Sequence, residues 1–267
     1  MNPLVPLVER LAAGFNDLPL WAGECTVWDR RFRSASFERW LYLRLHRLGW
    51  MGRRESAALA RSVRPGMTVL DVGGNLGLYT LLLSRLVGPA GRVVTFEPDP
   101  ALFALLRHNI ARNGCANIEA HNLALGRTHA RLRLRRLILN SGDNTLGPGG
   151  SGWFRREVEV EVVALDEFRP GWRPDFVKID VQGWELDVLR GMEQSLAAEP
   201  PPILHLEYWP AGFRRAGYAA RDLVAFLRAR RFRLHRVDTG AELDEAGLAQ
   251  LDRELTGLRH ADIRAER

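Results

Sequence analysis

The sequence predicts an α/β fold: a mainly parallel sheet with helices on its faces, an N-terminal helical extension and an inserted β-hairpin. Three observations predict it. Short apolar runs alternate with amphipathic helical stretches over residues 67–121 and again over 175–237. A glycine-rich turn, Gly73-Gly74-Asn75-Leu76-Gly77, sits where the first of these strands should become a helix. Two strictly alternating segments, 129–138 and 156–163, break the rhythm and flank a loop of Gly, Asn, Ser and Pro at 140–152.

The elements follow in order. Residues 1–64 are rich in Trp, Arg and Leu and read as a helical cap, with helices over 36–48 and 53–63. Arg64-Pro65-Gly66 ends the second helix, so a domain boundary falls there and the main domain spans 65–267. Met67–Val72 is a strand, Leu76–Val87 a helix and Arg92–Glu97 a strand. Pro100–Arg112 is a helix stopped by Asn113-Gly114, and Asn117–His121 is a third strand. After the hairpin come strand Asp175–Asp180, helix Trp184–Leu196, strand Ile203–Tyr208, helix Ala220–Arg230 and strand Phe232–Val237. The last thirty residues are charged and only vaguely patterned.

Length and composition suit a soluble globular chain: 267 residues, 46% hydrophobic and 26% charged. No apolar run approaches the roughly 20 residues of a membrane span, and no signal peptide is evident. Cys25 and Cys115 lie far apart, with no metal or disulfide spacing, which fits a reducing cytoplasm. The net charge is +6, concentrated in arginine-rich stretches at 30–33, 131–136 and 228–236. These interleave with apolar residues, so a solvated surface is a better reading than a nucleic-acid interface. An acidic acceptor, such as a phosphorylated glycan, is a third reading. Nothing sets the oligomeric state; the extension either closes a pocket or forms a homo-oligomer interface.

The glycine turn carries the chemistry. Glycine permits a tight turn and close approach of a ligand to the backbone, and the following helix N-terminus presents amides to it. Asp71 stands just before the glycines, and Glu97 ends the next strand, where an acid holds ribose hydroxyls in dinucleotide sites. The spacing is not G-x-G-x-x-G, although NAD stays open, and a nucleoside-type ligand is favoured over a tight turn that holds none.

Four motifs in order resemble the FkbM-type methyltransferases. DVGGNLGLYT (71–80) is similar to the first motif, usually DVGAN-G-YT. FEPDP (96–100), continuing to Leu106 and Asn109, is similar to FEP-P…L…N. LDEF (165–168) precedes DFVKIDVQGWELDVLRG (175–191), which resembles F-KIDVEG-E-VL-G, and ILHLEYWP (203–210) resembles the strand that ends in an acidic residue. The resemblance covers roughly 67–237. It implies a Rossmann-like, seven-stranded class I methyltransferase sheet with S-adenosylmethionine as methyl donor. Asp71, Gly73, Asn75 and Gly77 are then expected along its methionine part, with Tyr79 and Thr80 closing the same motif. Glu97, followed by Pro98, is expected at the ribose, Asn122, Leu123 and Ala124 at the adenine, and Asp180 at the sulfonium and substrate. Gln182 stands where the family usually has an acid, which removes a charge from that position.

A hydroxyl acceptor benefits from a general base. Asp180, Glu185, His205 and Glu207 are the candidates. Asp180 could instead cap a turn, Glu185 could serve the helix dipole, and His205 could be a core residue. Glu207 ends an apolar strand, where an unpaired carboxylate is costly, and Lys178 could pair with one of these acids. Asp180, Glu185 and Glu207 are oxygen ligands of the type Mg²⁺ takes, but they lack a diagnostic spacing, so no metal ligand is assigned. Trp184 and Tyr208, with Trp172 and Trp209, are expected to stack on the acceptor or close the pocket. Asn140, Asp143 and Asn144 on the long loop are expected substrate contacts on a lid. The expected function is O-methylation of a hydroxyl on a sugar or secondary metabolite. The alternatives are a nucleic-acid methyltransferase and a non-catalytic binding protein that keeps the fold.

Overall fold

The computed structural model describes residues 23–34, 36–137, 145–146, 154–257 and 259–267. The chain enters through strands β1 (Glu24–Val27) and β2 (Arg30–Arg33) and helices α1 (Phe37–Arg47) and α2 (Arg53–Ser62). It continues with β3 (Thr68–Val72), α3 (Leu78–Val87), β4 (Arg92–Phe96), α4 (Pro100–Arg112) and β5 (Ile118–His121). Next come β6 (Ala124–Leu125), β7 (Ala130–Leu137), β8 (Thr145–Leu146) and β9 (Phe154–Val163). Then follow α5 (Leu165–Phe168), β10 (Phe176–Ile179), α6 (Glu185–Arg190), α7 (Glu193–Leu196) and β11 (Ile203–Tyr208). The chain closes with α8 (Pro210–Ala216), α9 (Ala220–Ala229), β12 (Arg233–Arg236), α10 (Glu245–Glu254) and β13 (Ala261–Glu266).

Seven strands form the central sheet in the order β12-β13-β11-β10-β3-β4-β5. Neighbours from β11 to β5 run parallel, and β13 is antiparallel to both β11 and β12. Strand order reverses between β3 and β10, which opens a crevice at their C-terminal ends. The charged tail that the sequence leaves unpatterned supplies α10 and β13, and β13 fills the gap between β11 and β12.

Side chains alternate across this sheet, and the two faces differ. Leu70, Val72, Val94, Phe96, Val177, Ile179, Leu204 and Leu206 build one face, apolar along its whole length. Val69, Val93 and Phe176 begin the other face, under Leu59 of α2 and Leu83 of α3. Two residues further along, that face turns polar. Thr95, Asp71, Lys178, His205 and Arg264 stand opposite one another in register across β4, β3, β10, β11 and β13. A polar row inside a buried layer is costly unless paired, and α2 covers it.

The N-terminal extension contains the two expected helices and, before them, a hairpin the sequence did not reveal. Its turn is Trp28-Asp29, at φ of 48° and 65°. Such turns favour Asn and Gly, and neither is present as a signal. Asn109 of α4 and Asn113 at its C-cap hold the hairpin: their Oδ1 atoms accept from the amides of Arg33 and Arg31 respectively, both at 2.9 Å. Strands β7 and β9 form the expected antiparallel pair, in a second sheet ordered β6-β9-β7-β8. Its wet face pairs Arg131 with Glu159 and Arg135 with Glu157, while Leu134, Val160 and Val162 pack inward. Among the described residues, no helix is long and apolar enough to cross a membrane.

Ile263 is fully buried in β13, between β11 and β12. Ile263→Ala is expected to cost roughly 2–5 kcal/mol of stability, read as a lower denaturation midpoint with an unchanged m value.

Candidate active site

A cavity of about 640 Å³ opens at the crevice where strand order reverses. The glycine turn forms its floor. Gly73 has φ +90°, and a Cβ there would collide with the Asp180 backbone carbonyl. A Cβ on Gly74 would collide with Thr95 Oγ1. The turn therefore requires glycine for close packing of β3 against β10 and β4.

Glu97 is nearly fully buried at the cavity wall. Its Oε2 accepts from the Asn75 amide at 2.7 Å and its Oε1 from the Asp99 amide at 2.8 Å. Burial pushes its carboxyl up to about 7 against the pull of these amides. Each oxygen keeps a lone pair for a further donor. Arg39 of α1 reaches Asn75 Oδ1 at 3.2 Å, so the extension braces this turn. Phe96, Pro98, Leu102, Leu123, Ala124 and Leu146 make the apolar end beside Glu97.

Asp180, Gln182, Glu207, His260 and Asp262 line the other end. Asp180 Oδ2 takes a bond from Lys178 Nζ at 3.0 Å, and Oδ1 takes one from Gln182 Nε2 at 3.0 Å. Burial would raise the Asp180 carboxyl, but the charge and hydrogen bond of Lys178 and the Gln182 amide hold it below the usual range. Gln182 thus has a defined part: it donates to Asp180, where an acid would repel it. Lys178 is buried, 3.6 Å from Glu55 Oε1 and 4.8 Å from the Tyr79 ring centre. Burial alone would lower its ammonium; Asp180, Glu55 and Asp71 together hold it well above the usual value. Glu55 is pushed up to about 7 by burial, which exceeds the pull of Lys178. Burial, then repulsion from Asp180, Glu185 and Asp262, raises Glu207 well above its ordinary value, and its Oε2 has no partner among the described residues.

Of the residues the sequence singles out, Gly73, Asn75, Tyr79, Glu97, Pro98, Leu123, Ala124, Asp180, Trp184 and Glu207 line the cavity. Others do not, and their expected contacts give way to support. Asp71 lies beneath the turn, 1% exposed, and accepts from Thr80 Oγ1 at 2.6 Å, so both are withdrawn from the cavity. Gly77, at φ +96°, lets α3 approach Leu106 of α4. Asn122 turns its amide to the Glu97 and Pro98 carbonyls, at 2.8 and 3.0 Å. Glu185 is fully buried under the 181–183 turn, accepting from the Val181 and Gly183 amides at 3.2 and 3.3 Å. It does not line the cavity with Asp180 and Glu207. His205 belongs to the polar row behind the cavity wall. Tyr208 faces the apolar side of the sheet, its hydroxyl 2.8 Å from Asp252 Oδ1, because it is out of phase with Glu207. Asn140, Asp143 and Asn144 lie outside the described residues.

Sequence reasoning missed Arg39, Glu55, His260 and Asp262. A signal existed for Glu55: it falls on the same helical face as Ala58, Leu59 and Ser62, which are buried. Asp262 sits on the strand the sequence left unpatterned.

The sheet order, the reversal point, the glycine turn and the acid at the end of the next strand define a class I S-adenosylmethionine-dependent methyltransferase fold. The family model described as the methyltransferase FkbM domain matches residues 71–234, and the chain belongs to that family. Methyltransferase 1 of Beauveria bassiana is 31% identical over 147 residues, covering 48% of this chain and 59% of that protein. The 31-O-demethyl-FK506 methyltransferase FkbM of Streptomyces tacrolimicus is 44% identical over 54 residues, 20% of each chain. The match thus spans less than two thirds of either relative. A solved rRNA-methylase structure from Clostridium thermocellum aligns with a TM-score of 0.48 at 12% identity, over 80% of this chain and 95% of that one. The family's cofactor is S-adenosylmethionine, and the cavity fits it: a glycine turn on its lining, a carboxylate with free lone pairs beside it, and an apolar compartment beyond.

Glu185 also sets a pH dependence. Burial raises its carboxyl from 4.5 to about 8. A raised carboxyl contributes stability fully below its unfolded value and loses it as pH rises through the folded value. Stability should therefore fall between about pH 5 and pH 8. Glu185→Gln keeps the Oε1 acceptor and removes this titration. A shallower fall of melting temperature across that window is the expected result.

Proposed function

We propose that the protein is an S-adenosylmethionine-dependent O-methyltransferase acting on a hydroxyl of a sugar or secondary metabolite. One observation carries the reading. Two carboxylates with opposite proton affinities, Asp180 and Glu207, face one cavity end on adjacent strands. The ionised Asp180 suits accepting a hydrogen bond from the acceptor hydroxyl and fixing its direction. Glu207, with an unpartnered oxygen and a high proton affinity, suits taking the proton as the oxygen is methylated. The name of the Streptomyces relative points to an oxygen on its own substrate, which accords with this reading.

In this proposal Gly73, Gly74 and Asn75 cradle the methionine part of the cofactor, Glu97 holds the ribose hydroxyls, and Pro98, Leu123 and Ala124 wall the adenine. When bound, the cofactor supplies an electrophilic methyl group on a sulfonium. The chain's own work is alignment and exclusion of water. Trp184 lines the cavity and adds apolar area, with its buried Nε1 unpartnered among the described residues.

The test is transfer of labelled methyl from S-adenosylmethionine to a panel of hydroxylated sugars and metabolites. Glu207→Gln should lower kcat by roughly 10²–10⁴ with little change in KM. It should also remove the rise of rate with pH expected as Glu207 loses its proton. Transfer to amines with no transfer to any hydroxyl, or an unchanged kcat in Glu207→Gln, contradicts the proposal.

A further inference from the structure

His205 stands in the polar row between Lys178 on β10 and Arg264 on β13. It is 2% exposed, and its Nε2 has no hydrogen-bond partner among the described residues. The nearest carboxylate oxygen, Asp262 Oδ1, is 3.7 Å away, beyond hydrogen-bond reach. Buried polar atoms are ordinarily satisfied, so an orphaned ring nitrogen calls for an explanation.

Two carboxylates complete a cluster around it. One donor atom from each of Glu55, His205 and Asp262 lies within 4.8 Å of the others. They come from three separate elements: α2, β11 and β13. Two donors on one ion, with bonds of about 2.0–2.2 Å, stand roughly 3–4 Å apart. Binding an ion would draw the three ligand atoms in to that spacing.

The groups nearby are mostly carboxyls, which supply oxygen donors. Glu55, Asp180, Glu207 and Asp262 gather on one wall. Lys178 sits among them, close to Asp180 and Glu55. Arg264 is committed to Glu266 at 2.7 Å, and His260 stands 3.7 Å from Glu207.

We propose that Glu55, His205 and Asp262 bind a divalent transition-metal ion of the Zn²⁺ or Mn²⁺ class in the wall of the cavity. The mixed set of one imidazole nitrogen and two carboxylate oxygens selects that class over Mg²⁺ and Ca²⁺, which prefer oxygen alone. Three protein ligands leave an open position. Glu55 and Asp262 both line the cavity, so that position faces it and takes a water or an acceptor oxygen. The ion also ties α2 of the extension to the last strand of the sheet.

The test is calorimetric titration of untagged, chelator-stripped protein with Zn²⁺ alone and with Mn²⁺ alone, followed by thermal melts of the loaded protein. One ion per chain and a raised melting temperature are expected. His205→Gln and Asp262→Asn, each shown to be folded by circular dichroism, should weaken binding by at least about tenfold. A folded wild-type protein that takes up neither ion stoichiometrically overturns the proposal by itself. So does unchanged affinity in both variants. Neither readout involves methyl transfer, so this site and the O-methyltransferase reading fail or stand separately.

Discussion

A single buried ammonium organises the covered face of this sheet. Lys178 sits mid-sheet at 2% exposure, 3.0 Å from Asp180 and 3.6 Å from Glu55. Taking such a charge out of water costs several kcal/mol, and only close counter-charges offset it. Its partners are distributed across the molecule: Asp71 on β3 opposite it in register, Asp180 just beyond its own strand, Glu55 on the N-terminal extension. Lys178 holds Asp180 ionised, while burial outweighs its pull on Glu55 and Asp71. The N-terminal helices are thereby held on the face of the sheet that carries the candidate site.

The same interaction separates the two acids at the proposed acceptor end. Asp180 is within reach of Lys178 and Gln182 and stays ionised. Glu207, one strand further, receives mainly burial and the repulsion of its neighbours, so it holds a proton strongly. Paired titratable groups pushed in opposite directions mark acid–base sites. Gln182 belongs to this arrangement: its neutral amide supports Asp180 without adding another negative charge. At the other end, Glu97 is fixed by two backbone amides of the turn and of the α4 N-terminus. That leaves its outward lone pairs in a set direction.

Much of this was legible in the sequence, and the exceptions have physical causes. The βα rhythm, the glycine turn, Glu97 and the long hairpin all announce themselves through local periodicity and turn chemistry. The β1–β2 hairpin does not, because Trp28 and Asp29 adopt positive φ without being glycine or asparagine. Strand β13 does not, because its antiparallel place between β11 and β12 is settled by long-range pairing. Motif position also does not tell which side of a wall a residue occupies. Asp71, Thr80 and Glu185 stand within the motifs yet are buried beneath the turns they support, and Asn122 bonds to backbone carbonyls outside the cavity. Glu55 and Asp262 stand outside every motif and reach the cavity from the two ends of the chain.

The central claim is that the crevice between β3 and β10 is a nucleoside cofactor site in which Glu97 receives the ribose. Calorimetric titration with S-adenosylhomocysteine, of the wild-type protein and of Glu97→Ala, tests it most directly. One-to-one saturable binding that the substitution abolishes, in a protein with an unchanged circular dichroism spectrum, is the predicted result. Binding that survives Glu97→Ala unchanged, or a folded wild-type protein that does not bind, would contradict the account.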